Sequence, residues 1–109
     1  MAILLRMTDL HFPPNFLWGA ATAPVQNEGA FPESSWWAWE RRPGAIRDGD
    51  RSGIGCDWWA NAETDFDLAR SMGHNALRLG VEWSRIQPEE KVIDEAALAR
   101  YRQMLLALR

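Results

Sequence analysis

The sequence predicts an α/β protein in which parallel strands alternate with helices. Three observations carry that prediction. An almost continuous apolar run, Phe16 to Ala23, lies between Pro13-Pro14 and Pro24, and short runs of this kind suit strands covered on both faces. Residues 75–83 alternate apolar and other side chains with period two, the spacing of a strand with two different faces. Residues 57–72 and 94–108 repeat apolar side chains every three or four positions, the spacing of helices that bury one stripe.

The first strand is read over 16–23. Residues 24–56 lose all period: Pro24, Pro32 and Pro43, several glycines and many charges interrupt them. They read as a long loop with one aromatic helical turn near Ser35 to Arg41. A loop of that length inside a compact domain is unusual unless it is functional. In the helix over 57–72 the stripe is Trp58, Trp59, Ala62, Phe66, Ala69 and Met72, with Asp57 expected as N-cap and Gly73 as the residue that ends it. The strand over 75–83 puts Leu77, Leu79, Val81 and Trp83 on one face and Arg78, Gly80 and Glu82 on the other. After Pro88, Asp94 is expected to cap the helix over 94–108, whose stripe is Ala97, Leu98, Tyr101, Met104, Leu105 and Leu108.

Strand, loop, helix, strand, helix is the order of βα units. Doubly wound sheets and (β/α)8 barrels both begin this way. The small and charged second face of 75–83 favours the barrel, whose sites are built at the C-terminal ends of its strands. Closing a barrel takes roughly 250 residues. Residues 1–109 are therefore expected to be the N-terminal two βα units of an incomplete (β/α)8 TIM barrel. The two strands should be parallel neighbours with both helices on the Leu77, Leu79 and Val81 face. Arg78 should point the other way, toward the mouth that Gln26 also faces.

Composition narrows the function. At 47% hydrophobic and 25% charged residues the chain has the balance of a soluble globular protein, which excludes disorder. A net charge of −3 with no basic stripe argues against nucleic acid, and no apolar segment is long enough for a membrane span. Met1 to Arg6 lack the apolar stretch of a signal peptide. Cys56 is the only cysteine, so no internal disulfide can form; packing is its expected role and the cytoplasm the expected location. Five of the seven tryptophans fall in two clusters, Trp36, Trp37 and Trp39, then Trp58 and Trp59. Packing is the favoured role for any one of them, and stacking on a sugar face is the alternative. Asp48 to Gly53 is spaced like the start of a calcium loop, but the twelfth position is Trp59, so a turn is expected. His11 and His74 lack partners at ligand spacing, and no metal or other cofactor is expected.

Residues 16–30, Phe-Leu-Trp-Gly-Ala-Ala-Thr-Ala-Pro-Val-Gln-Asn-Glu-Gly-Ala, closely resemble the N-terminal signature of glycoside hydrolase family 1. Leu77-Arg78-Leu79-Gly80-Val81-Glu82-Trp83-Ser84-Arg85-Ile86-Gln87-Pro88 resembles that family's second barrel strand and the turn after it. Trp36-Trp37-Ala38-Trp39 and Val81-Glu82-Trp83 are closer to the archaeal-type β-glycosidases and their bacterial relatives than to the plant enzymes. Val25 departs from the pattern, standing where the family usually has an aromatic residue.

The resemblance implies an O-glycosyl hydrolase that cleaves β-glucosides or β-galactosides with retention, on a small-molecule β-linked sugar. Gln26 matches the glutamine that bonds hydroxyls of the sugar in the nonreducing subsite, where an amide can donate to one hydroxyl and accept from the next. Arg78 matches the arginine beside the catalytic nucleophile, which keeps that carboxylate ionised and oriented. The alternatives are a loop glutamine satisfied by water and an arginine in a structural ion pair with Glu82 or another acid. Glu28 and Arg85 also fall in the motifs and are expected to make structural hydrogen bonds. Retention needs two carboxyl groups about 5 to 5.5 Å apart. The family takes them from an asparagine-glutamate-proline and a glutamate-asparagine-glycine motif on later strands, and neither motif occurs here. The chain alone is thus expected to be inactive. The competing readings are a tryptophan-rich carbohydrate-binding module and a noncatalytic fragment or pseudoenzyme.

Overall fold

A computed structural model of the chain describes residues 11–29 and 31–109; the reading of Met1 to Arg6 lies outside the described residues. The elements are β1 (Gly19–Ala21), α1 (Pro24–Asn27), α2 (Ser35–Glu40), α3 (Trp58–Ser71), β2 (Ala76–Arg78), α4 (Trp83–Ile86) and α5 (Glu95–Ala107). β1 and β2 pair in parallel, with Gly19 opposite Ala76, Ala20 opposite Leu77 and Ala21 opposite Arg78. A parallel pair needs a crossover, and α3 supplies it.

Both strands are shorter than the sequence pattern predicts, because side chains take over from the ladder at each end. At the start, the Trp18 N–H donates to Asn75 Oδ1 (2.8 Å) and Asn75 Nδ2 donates to the Phe16 carbonyl (3.1 Å). At the finish, the Thr22 N–H still donates to the Arg78 carbonyl (2.9 Å), but the Gly80 N–H goes to Thr22 Oγ1 (2.8 Å). Pro24 then has no N–H to offer. The two segments press together there, for a Cβ on Gly80 would lie 2.8 Å from Pro24 Cδ.

The strand expected over 75–83 is corrected to Ala76–Arg78. The Glu82 carboxylate accepts from the Ser84 N–H (3.3 Å) and hydroxyl (2.7 Å), and the Glu82 N–H donates to Tyr101 Oη (2.9 Å). Those bonds draw the chain out of extended form into α4. Val81 and Trp83, expected on the helix-covered face, are exposed as a result.

α3 and α5 follow their apolar stripes. Asp57 precedes α3 with φ +52° and does not cap it; its carboxylate accepts from Asn61 Nδ2 (3.2 Å) instead. The other end closes as expected: Gly73 has φ +86°, its N–H donates to the Arg70 carbonyl (2.9 Å), and the His74 N–H donates to that of Ala69 (3.1 Å). On α5, Asp94 Oδ1 accepts from the N–H groups of Ala96 and Ala97.

The buried cluster joins Trp58 and Ala62 of α3, Ile86 of α4, and Tyr101 and Met104 of α5, with Trp59, Phe66 and Leu79 packed against it. Arg100 fastens α5 to α3 by gripping both oxygens of Glu63 and donating to the Trp59 carbonyl (3.0 and 2.9 Å). Since Leu79 faces this cluster, alternation turns Arg78 to the other face, where it is exposed. Part of each expected stripe is also exposed: Met72 on the first, and Leu98, Leu105 and Leu108 on the second. Among the described residues no helix is long and apolar enough to cross a membrane.

Candidate functional site

The chain leaves β1 directly into α1, with Pro24 at the start, where a missing N–H costs nothing. The Ala23 N–H is held by Asn27 Oδ1 (2.8 Å). Gln26 is exposed on this short helix, at the end of the strand pair where Thr22 still bonds Arg78. It lines a cleft of about 500 Å³ together with Ala23, Val25, Trp36, Ser52 and Gly55.

Two segments of the long loop build the other walls. The turn before α3 lies against α1: the Cys56 N–H donates to the Asn27 carbonyl (3.1 Å), and Gly55 has φ +61°. A Cβ there would lie 2.7 Å from the Gln26 carbonyl oxygen and the Gly29 nitrogen, so glycine allows the approach. Cys56 itself is exposed, against the expectation of packing. The second wall is α2, whose start is capped by Ser34 Oγ accepting the Trp37 N–H (3.1 Å). Its far end carries Glu40, buried, accepting the Ser52 N–H (3.0 Å) and hydroxyl (2.8 Å) and paired with Arg41 (2.9 Å). These bonds, the Ser52 amide first, hold the Glu40 carboxyl below the usual carboxylate range. The expected turn over Asp48 to Gly53 is instead an irregular stretch between two turns, tied to α2 through Ser52. Trp36 is 47% exposed on the cleft, its ring 4.9 Å from that of Trp39.

The cleft thus offers an amide that can donate and accept beside an indole face, a pairing suited to a sugar ring. Arg78 stands at the same end of the sheet without lining this cleft. Among the described residues its side chain makes no hydrogen bond or ion pair. The expected alternative of a pair with Glu82 is not among the ion pairs of the described residues, where Glu82 Oε1 accepts from Ser84.

Glu28 and Arg85 meet in the interior. Tyr101 Oη lies 2.9 Å from both Glu28 oxygens, Arg85 Nε donates to Oε2 (3.2 Å), and the Arg85 guanidinium sits 4.0 Å from the Trp59 ring centre and 4.6 Å from that of Phe31. Burial pushes the Glu28 carboxyl above its ordinary range despite the opposing pull of Tyr101 and Arg85. It pushes the Tyr101 phenol up as well. Sequence motifs pointed to Glu28 and Arg85, whereas Tyr101 read only as one member of the α5 stripe. Trp36 carried no signal that separated it from Trp37.

A second cleft, about 370 Å³, lies at the opposite end of β2 between α3 and α5, lined in part by Phe66, His74, Leu77 and Leu108. The Nδ1 atom of His74 is buried there without a partner among the described residues. No cluster of three or more histidine, cysteine, aspartate or glutamate side chains among the described residues could hold a metal ion.

Parallel strands joined through an amphipathic helix, with a cleft at their C-terminal ends, are features of βα-repeat proteins, a class whose sites are built at the strand mouths. The sequence pattern of glycosyl hydrolase family 1 matches residues 8–109, and the chain belongs to that family. It is 36% identical over 88 residues to β-glucosidase A of Acetivibrio thermocellus, an alignment that covers 76% of this chain and 20% of that one. The AHE enzyme of Alicyclobacillus herbarius superposes with a TM-score of 0.83 at 36% identity, over 91% of this chain and 23% of its own. A family 1 β-glucosidase of the fungus Humicola insolens, solved in complex with glucose, gives 0.77 at 30% identity, over 92% and 23%. The chain is therefore part of the family's barrel fold, and it spans about a fifth of the length of the curated relatives it matches.

Proposed function

We propose that this chain forms the first two βα units of a retaining β-glycosidase that hydrolyses β-glucosides and β-galactosides in the cytoplasm, with no cofactor. Gln26 bonds hydroxyls of the sugar in the nonreducing subsite. Arg78 stands beside the nucleophile, keeping it ionised and oriented. The nucleophile and the acid/base are glutamates outside these 109 residues. The observation that carries the reading is the cleft at the strand ends, which Gln26 and Trp36 both line, in a chain of family 1. A relative's complex with glucose supports the sugar as occupant.

The purified 109-residue polypeptide should not hydrolyse a chromogenic β-glucoside above a contaminant control. A polypeptide that continues through the remaining strands should, releasing the sugar with its β configuration kept. Hydrolysis by the short chain would overturn the division of labour. Glucose binding without turnover by the long one would favour a noncatalytic carbohydrate binder.

A further inference from the structure

Gln26 sits on a four-residue helix, too short to be stable alone, so its position is set by what anchors the two ends. Before it, Thr22 is bonded to Arg78 and Gly80, and within it the Cys56 N–H holds the Asn27 carbonyl. After it comes Glu28, whose N–H closes α1 on the Pro24 carbonyl (2.7 Å) and whose carboxylate enters the interior. That side chain is 1% exposed. It is held by Tyr101 from α5 and by Arg85 from α4.

The bonding is directional. The Tyr101 hydroxyl donates to Glu28 and accepts from the Glu82 N–H; Arg85 donates from Nε to Glu28 Oε2. One phenol therefore links the segment after β1, which carries Gln26, to the segment after β2, four residues beyond Arg78. Trp59 and Phe31 on the Arg85 guanidinium fix the third partner.

We infer that Glu28 is a positioning residue for sugar recognition: the Glu28–Tyr101–Arg85 network sets where Gln26 stands relative to the C-terminal end of β2. The inference rests on the reading of Gln26 as a sugar contact. Replacing Glu28 by glutamine removes the charge that the Tyr101 hydroxyl and the Arg85 guanidinium bond to and leaves one oxygen in place of two.

The test is a double-mutant cycle in the full-length enzyme, with kcat and KM measured on an aryl β-glucoside and folding checked by thermal melt. Glu28→Gln should lower kcat/KM roughly tenfold, and should have little further effect once Gln26→Ala is present, since coupled residues are not additive. An equal loss with and without Gln26 would overturn the inference and leave Glu28 a stabilising group only. If Glu28→Gln does not fold, Tyr101→Phe, which keeps the ring, is held to the same two outcomes. A Gln26→Ala variant with unchanged kinetics would instead overturn the sugar subsite itself, which the single variant reveals before the cycle is closed.

Discussion

The helix side of the molecule and the mouth of the strand pair are built from the same stretch of chain yet differ in how far they are finished. On the helix side, Trp58, Ala62, Ile86, Tyr101 and Met104 close over one another, and the buried Glu28 meets both Tyr101 and Arg85. At the strands, all three residues of β1 are exposed, as is Arg78. Two paired strands rarely persist alone, and their free edges invite further pairing. The difference teaches which contacts are local: the α3–α4–α5 cluster closes within these residues, while the strand pair and the outer faces of α3 and α5 stay open.

The sharpest contrast lies within α5. Met104 is fully buried and Leu105 is half exposed. Met104→Ala should cost about 2–5 kcal/mol in urea unfolding, and Leu105→Ala under about 0.5 kcal/mol if its neighbour stays solvent. An equal loss at both would extend the covered surface around α5 in the longer protein and move the boundary between the two regions.

A smaller effect separates the two buried carboxylates by pH. Glu40 is held below the ordinary carboxylate range by Ser52 and Arg41, so its stabilisation is present above that range and is lost as pH falls through the lowered value. Glu28 is raised by burial, so its contribution runs the other way: full below the ordinary value, lost as pH rises through the raised one. In acid, the Ser52 amide should lose protection from hydrogen exchange, corrected for intrinsic rate, while the Glu82 amide on Tyr101 keeps it. Simultaneous loss at both amides would show that the cleft wall and the interior open as one unit.

What the sequence revealed follows from the range of each interaction. α3 and α5 were readable because burying a stripe is a local pattern, and Gly73 and Asp94 end or start them by local chemistry. Asp57 misled because its left-handed backbone turns the carboxylate away from the helix start. α1 and α4 are too short to show a period; Pro24 was the usable sign of the first, and Glu82 followed by Ser84 of the second. The strands were overextended because Thr22 and Asn75 replace ladder bonds with side-chain bonds, which alternation does not encode. At the site, Gln26 and Arg78 came from motif resemblance alone. The contact between Glu28 and Tyr101 spans 73 positions, so only the fold brings it into view.

Kinetics of Gln26→Ala in the full-length enzyme bear most directly on the claim that this chain supplies part of a sugar subsite. The expected result is a lower kcat/KM on a β-glucoside, equivalent to about 1–3 kcal/mol if the variant leaves a sugar hydroxyl buried and unpaired. Unchanged kcat and KM on both a β-glucoside and a β-galactoside would contradict it, leaving Gln26 a solvated residue beside the cleft.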